Sequence, residues 1–168
     1  MEATNYVTWS TEIELPNAQA TWDLAHELRG GFSAGDTVLL SGPIGAGKSH
    51  FARGLIHGLL ADNDKVEDIP SPTFTLIQTY HAGKLDIWHC DLYRLTSADE
   101  AAELGLIDAL ETALCIVEWP DRLGDETPHD ALFLNFELCE NVEERRLKIV
   151  TKGSKWSWVR AVLDKIYD

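Results

Sequence analysis

The sequence predicts an α/β fold in which a mainly parallel central sheet is combined with antiparallel strands. The apolar runs Thr37–Leu40 and Leu114–Val117 have the length and composition of buried strands. A helical pattern begins near Lys48, shortly after the first run. Two later stretches, Leu132–Leu138 and Arg145–Val150, read as further strands. Alternation of strands and helices in this order is typical of a sheet with helices packed on its faces.

A glycine-rich loop joins the first buried strand to its helix. Residues Gly42–Ser49 have the spacing G-x-x-x-x-G-K-S of a phosphate-binding loop. Glycines let backbone N–H groups turn inward around an anion, and the start of the next helix adds a positive dipole end. Lys48 would reach the β- and γ-phosphates, and the Ser49 hydroxyl would ligate Mg²⁺. The expected architecture is a P-loop NTPase-like three-layer sandwich. The chain of 168 residues is expected to form one such domain over residues 1–168.

The elements around the loop follow from local patterns. Trp9–Leu15 alternates apolar and polar residues, as an edge strand does, and Asn17–Leu28 reads as a helix with an Asn cap. Asp36–Ser41 is the buried strand before the loop, and Lys48–Leu60 is the helix after it. Arg53 lies on a second face of that helix, where a solvated position is favoured.

A proline-rich segment follows a polar loop. Pro70 and Pro72 exclude a helix and hold Ser71 in an extended conformation. Thr73–Tyr80 and Lys84–Asp91 then read as two strands around a short turn. An antiparallel hairpin is favoured over membership of the parallel core.

The remaining elements are mostly helical. Ser97 and Glu100 have the spacing of a capping box at a helix start, and that helix breaks near Gly105 before a short helix at Ile107–Thr112. Lys155–Tyr167 reads as an amphipathic helix, for which core packing is favoured over a partner surface. Its residues expected to face inward are Trp156, Val159, Val162, Leu163 and Ile166.

A nucleotide site also needs groups for the metal ion and for the attacking water. Glu118 follows a buried strand, which is the position of a Walker B carboxylate, and it is the candidate partner of Ser49 in holding Mg²⁺. An ordinary strand-end carboxylate is the alternative. Thr73 is either a sensor of the γ-phosphate on a stiff loop or the first residue of a strand. Asp91 either orients the attacking water or a Mg²⁺-bound water, or is a surface or capping carboxylate. Trp119 either walls the nucleotide pocket or packs in the core.

Base recognition leaves a weaker pattern. The sequence has no N-K-x-D motif after the Walker B strand, which favours adenine and therefore ATP. Arg145 or Arg146 could reach the nucleotide, although surface positions are favoured for both.

Charge and composition narrow the class of protein. The formal net charge of −14 argues against wide direct contact with nucleic acid or with an anionic membrane. No apolar run approaches the roughly 20 residues that cross a bilayer, and the N-terminus lacks a signal-peptide pattern, so a cytoplasmic location is expected. Cys90, Cys115 and Cys139 have no metal-ligand spacing and are interpreted as reduced, buried packing residues.

Five motifs together are similar to the TsaE family, also called YjeE. In chain order they are G-P-I-G-A-G-K-S, S-P-T-F-T-L, H-C-D-L-Y-R-L, E-L-G-L and I-V-E-W-P. The match runs from about Asn17 to Trp119 and more weakly to the end of the chain. The loop alone would be generic, and its combination with the other motifs is specific.

The resemblance implies slow, partner-dependent ATP hydrolysis in the synthesis of N6-threonylcarbamoyladenosine in tRNA. The implied partners are the TsaD and TsaB proteins, whose complex would be reset between turnovers, with tRNA contacted only through that complex and no membrane involved. Lys48, Thr73, Asp91 and Glu118 would be catalytic, and Ser49 and Glu118 would serve Mg²⁺. The implied nucleotide-binding residues are Gly42, Gly45, Ala46, Gly47, Lys48, Ser49, His50 and Trp119.

Three positions depart from the family pattern. Ser49 stands where threonine is usual, and Cys90 replaces an aromatic residue. Ala18 stands where some relatives have an acidic residue thought to lie near the nucleotide.

Two other functions stay open. One is a small-molecule kinase, although the arginine-rich lid typical of such kinases is lacking. The other is a non-hydrolysing, nucleotide-dependent assembly factor.

Overall fold

The structure, a computed structural model, describes residues 8–167, so the predicted domain 1–168 extends beyond the described residues at both ends. Within them lie seven strands and five α-helices. The strands are β1 (Thr8–Leu15), β2 (Thr37–Ser41), β3 (Ile77–Ala82), β4 (Leu85–Asp91), β5 (Leu114–Glu118), β6 (Leu132–Leu138) and β7 (Arg145–Lys152). The helices are α1 (Ala18–Leu28), α2 (Lys48–Ala61), α3 (Ala98–Glu103), α4 (Leu106–Thr112) and α5 (Ser157–Tyr167).

One mixed sheet joins all seven strands in the order β1-β7-β6-β2-β5-β4-β3. The four central strands β6, β2, β5 and β4 run parallel to one another. At one edge β7 is antiparallel to both β6 and β1, and at the other β3 is antiparallel to β4. The predicted α/β class, with a mainly parallel centre and antiparallel additions, is therefore confirmed. The predicted hairpin β3–β4 also forms, although its second strand belongs to the parallel core as well.

Two apolar cores lie on opposite faces of the sheet. Because side chains alternate along a strand, Val38 and Leu40 of β2 enter one core and Leu39 enters the other. The first core packs beneath α1, α2 and α5, and the second beneath α3 and α4. Helices on both faces give the three layers that the sequence predicted.

Two predicted details at helix starts have different outcomes. The Asn17 side chain accepts a hydrogen bond of 2.9 Å from the N–H of Ala20, so the predicted cap of α1 is confirmed. At α3 the Ser97 side chain makes no capping hydrogen bond, and the predicted capping box is wrong. Glu100 instead reaches one residue further back, where its carboxylate accepts from the Thr96 hydroxyl at 2.6 Å and from the Thr96 N–H at 3.4 Å.

The predicted strand Thr73–Tyr80 starts too early. Residues 72–75 form a turn, and β3 begins at Ile77. The turn is closed by a 2.7 Å hydrogen bond from the Leu76 N–H to the Pro72 carbonyl, and Leu76 has a φ of 69°. This segment therefore precedes the first strand residue of β3, so Thr73 is a loop residue and not a strand residue.

The C-terminal helix is shorter than predicted. A 3₁₀ turn at Ser154–Trp156 precedes α5, and Trp156, Val159 and Leu163 are buried. Ile166 is 38% exposed, so its predicted inward position is wrong.

The three cysteines are all free thiols. Cys90 and Cys115 are buried as predicted, whereas Cys139 is only half-buried.

Within residues 8–167 no helix has the length and hydropathy of a membrane span.

Candidate nucleotide-binding site

The predicted site residues meet at the carboxyl ends of three parallel strands. The loop Gly42–Ser49 follows β2, Glu118 ends β5, and Asp91 ends β4. The register places Leu40 beside Glu118, and Glu118 beside Asp91. The sheet thus brings the loop and both carboxylates together, at the edge where ligands bind in open α/β sheets.

The loop has a backbone that requires glycine at critical positions. Gly42 and Gly47 have φ values of 137° and 110°, which L side chains rarely adopt. A Cβ built on Gly42 would also lie 2.5 Å from the carbonyl oxygen of Phe136. α2 begins directly after Gly47, so its first N–H groups, which have no partners within the helix, start at the loop.

Lys48 is buried with its ammonium turned back onto the loop. Its Nζ donates hydrogen bonds to the carbonyls of Gly42 and Pro43, the latter at 3.0 Å. The same Nζ lies 4.0 Å from the ring centroid of Trp119. Burial lowers the pKa of the Lys48 ammonium, and the negative charges of Glu118 and then Asp91 act in the opposite direction. The cation is therefore held at the loop by oxygens and a ring face.

Glu118 connects the loop helix to a buried histidine. Its Oε1 accepts a 2.7 Å hydrogen bond from the Ser49 hydroxyl, and its Oε2 lies 2.7 Å from His89 Nε2. Both Glu118 and His89 are buried, the histidine completely. The carboxylate of Glu118 is thus fixed at both oxygens.

The pair Ser49–Glu118 fits a magnesium ion. Mg²⁺ prefers oxygen ligands, and neighbouring ligands of an octahedral ion with bonds of about 2.05 Å lie roughly 2.9 Å apart. The observed separation of Ser49 Oγ and Glu118 Oε1 is 2.7 Å. Among residues 8–167 no group of three or more His, Cys, Asp or Glu side chains could hold a metal unaided. The remaining ligands would therefore come from phosphate oxygens and water, as is usual for Mg²⁺ in nucleotide sites.

Thr73 and Asp91 form one connected group. The Thr73 hydroxyl donates to Asp91 Oδ2 at 3.2 Å, and Ser71 Oγ lies 2.9 Å from Thr73 Oγ1. Asp91 Oδ1 accepts from the Tyr93 N–H at 3.0 Å. Asp91 is only 5% exposed, which excludes the surface alternative, and its bond from the Tyr93 N–H shows that it also caps the backbone locally.

Trp119 forms one wall of a cavity of about 370 Å³, which lies in the range of about 300–1,000 Å³ typical of ligand pockets. The Trp119 backbone has a φ of 59°, and its ring lies 4.9 Å from that of Tyr93. Of the predicted site residues, all of which lie within residues 8–167, only Gly42 does not line the cavity. The cavity is lined by Ile44, Gly45, Ala46, Gly47, Lys48, Ser49, His50, Arg53, Thr73, Asp91, Tyr93, Glu118 and Trp119.

Several residues at the site were not predicted. Arg53 lines the cavity although its helical face suggested solvent. Arg145 Nη2 donates to the Gly45 carbonyl at 3.2 Å and so braces the loop from β7. The role of His89 is not predicted, and the only sequence signal for it is the H-x-D spacing that it shares with Asp91 on one strand.

A strand, a glycine-rich loop and a helix, with a carboxylate at the end of the neighbouring strand, define a P-loop NTPase-like protein. The family model described as Threonylcarbamoyl adenosine biosynthesis protein TsaE matches residues 15–147. The chain belongs to the TsaE family, which confirms the resemblance seen in its motifs and gives it a role in tRNA threonylcarbamoyladenosine biosynthesis.

Individual relatives agree with this assignment. The chain is 35% identical over 154 residues to the tRNA threonylcarbamoyladenosine biosynthesis protein TsaE of Rickettsia conorii, with 92% of this chain and 86% of that protein covered. It is 32% identical over 123 residues to the protein of the same name from Bacillus subtilis, with 73% of each chain covered. The crystal structure of Bacillus subtilis YdiB matches with a TM-score of 0.72 at 24% identity, covering 96% of this chain and 99% of that chain. At that identity the structural match supports the fold alone.

Proposed function

We propose that this chain binds ATP with Mg²⁺, hydrolyses it slowly, and acts on the TsaB–TsaD complex to reset it between turnovers of tRNA modification. The observation that supports this proposal most is that the groups expected to bind phosphate, metal and water all line one cavity. One cavity is lined by the phosphate loop, the Ser49–Glu118 pair and the Thr73–Asp91 pair. These are the parts that phosphoryl transfer requires: a phosphate cradle, a metal position and a group for water.

The phosphates would be held by the N–H groups of the loop and by Lys48. In the described structure the Lys48 ammonium is bonded to two loop carbonyls. It would exchange at least one of them for phosphate oxygen when nucleotide binds. Ser49 and Glu118 would hold the metal ion, which when bound neutralises charge on the β- and γ-phosphates.

Asp91 would hold the water, and Thr73 would sense the γ-phosphate. Asp91 is a carboxylate at the cavity wall. Thr73 supplies a hydroxyl from the turn that is closed by the hydrogen bond from the Leu76 N–H to the Pro72 carbonyl. In hydrolysis the water oxygen bonds to the γ-phosphorus, the bond to the β–γ bridging oxygen breaks, and the water proton passes to Asp91 or to solvent. ADP and phosphate are the products.

The charge of the chain supports an indirect relation to tRNA. A net charge of −14 would repel the phosphate backbone. The partner proteins, and not this chain, would then hold the tRNA.

A pull-down with the TsaB–TsaD pair, with and without ATP, tests the partner claim. We expect the association to depend on the nucleotide state and to change in the Lys48→Met variant. If the chain associated with the pair in none of the nucleotide states, the partner claim would be refuted and only the proposed nucleotide site would remain.

A further inference from the structure

A completely buried histidine lies beneath the candidate nucleotide site. His89 lies on β4, between β5 and the edge strand β3, and its side chain is 0% exposed. Its Nε2 lies 2.7 Å from Glu118 Oε2. Its Nδ1 has no hydrogen-bond partner within residues 8–167.

This contact fixes which nitrogen carries the proton. The carboxylate of Glu118 can only accept, so His89 Nε2 must carry the hydrogen. Nδ1, with or without a hydrogen, is buried and has no partner within residues 8–167, and a buried polar atom left unpaired costs about 1–3 kcal/mol. An apolar side chain would avoid that cost. Packing therefore does not explain a histidine here, whereas the hydrogen bond to Glu118 does.

The register of two strands creates the contact. His89 and Asp91 point to the same face of β4 because they are two residues apart. Asp91 is paired with Glu118 on β5. His89, two residues before Asp91 on the same face, is therefore the diagonal neighbour of Glu118. The H-x-D spacing thus sends one side chain to the cavity and the other to the carboxylate behind it.

We propose that His89 is a positioning residue of the magnesium–nucleotide site, which holds Glu118 so that Oε1 stays beside the Ser49 hydroxyl. This role rests on the proposed function. With Oε2 bound to the imidazole, the carboxylate cannot rotate away from Ser49. Without that N–H, Oε2 would be buried and unpaired, and Lys48 is the cation available to it. A Glu118–Lys48 pair would remove both groups from the ligand.

Two nearly isosteric variants test this role. Glutamine at position 89 keeps an N–H that can reach Glu118, and methionine has similar length without a donor. We expect His89→Met to weaken Mg²⁺-dependent ATP binding by about 10–100-fold, the usual effect of removing an outer-shell partner. ATP binding in EDTA should be unchanged, and His89→Gln should restore most of the Mg²⁺ effect. Titration calorimetry gives these affinities, and urea unfolding checks that each variant folds.

The possible results separate this inference from the proposed function. If both variants kept the wild-type Mg²⁺ effect, or if His89→Met weakened binding equally with and without Mg²⁺, the positioning role would be wrong. If the wild type itself bound no ATP, the proposed function would fall and this role with it.

A second measurement needs no variant and so does not depend on folding. Imidazole ¹⁵N spectra of the wild-type protein should show a hydrogen on His89 Nε2, and that signal should shift when ATP and Mg²⁺ are added. The opposite tautomer would overturn the proposal.

Discussion

Replacing Glu118 with glutamine removes one charge from the site while leaving its shape unchanged. Glu118 now accepts two hydrogen bonds of 2.7 Å, from Ser49 and from His89. In Glu118→Gln the amide oxygen can still accept from His89, and the amide N–H can donate to the Ser49 oxygen. A hydrogen bond to a charged group contributes about 1.5–3 kcal/mol and a neutral one about 0.5–1.5 kcal/mol. Relief from burying a charge offsets part of this difference. The free energy of unfolding should therefore fall by no more than about 2 kcal/mol.

The effect on the ligand should be much larger. A neutral amide replaces the carboxylate oxygen that would face Mg²⁺, so ATP affinity in Mg²⁺ should fall by more than about tenfold. Affinity in EDTA should change little. Titration calorimetry with and without Mg²⁺ measures this, and Glu140→Gln, which removes a charge from an exposed residue, is the matched control. A Glu118→Gln variant with the wild-type Mg²⁺ effect would refute the assignment of Glu118 to the metal.

Three further predictions concern other parts of the molecule. Lys48→Met should abolish measurable ATP binding, because it removes the cation from the loop, and calorimetric binding at wild-type strength would contradict this. Asp91→Asn should slow phosphate release by about 100-fold or more at nearly unchanged ATP affinity, because it removes the carboxylate beside Thr73 that would take the water proton. An unchanged rate would exclude Asp91 from that role. Burial raises the pKa of the Cys115 thiol from 9.0 to about 12, so this thiol stabilises the fold fully below pH 9 and progressively less above it. Between pH 9 and pH 10 the wild type should lose about 1 kcal/mol of unfolding free energy more than Cys115→Ala, as measured by urea unfolding, and equal losses would contradict the shift.

The loop and the two carboxylates could be predicted because their signals are local. The spacing of Gly42–Ser49 and the strand patterns that end at Glu118 and Asp91 are visible in short windows of sequence. Parallel strands that end at one edge then bring those groups together. The sequence leaves open whether Asp91 is a surface carboxylate, and its burial beside Glu118 excludes that position.

Two local details depend on hydrogen bonds between residues four positions apart. The sequence allows Thr73 on a strand or on a loop, and the turn closed by Leu76 and Pro72 decides for the loop. Glu100 accepts hydrogen bonds from the hydroxyl and the N–H of Thr96 and not from Ser97.

Residues that support the site from behind were beyond prediction. A histidine inside a strand, such as His89, looks like any core residue until the register sets it beside Glu118. Arg145 contacts the Gly45 carbonyl across 100 positions of sequence, and no local pattern shows such a contact.

Phosphate release by this chain, measured alone and with the TsaB–TsaD complex, tests the central claim most directly. We expect slow release alone, faster release with the complex, and none from Lys48→Met in either case. Equal rates with and without the partners, or transfer of the phosphoryl group to a metabolite in place of water, would contradict a partner-dependent ATPase.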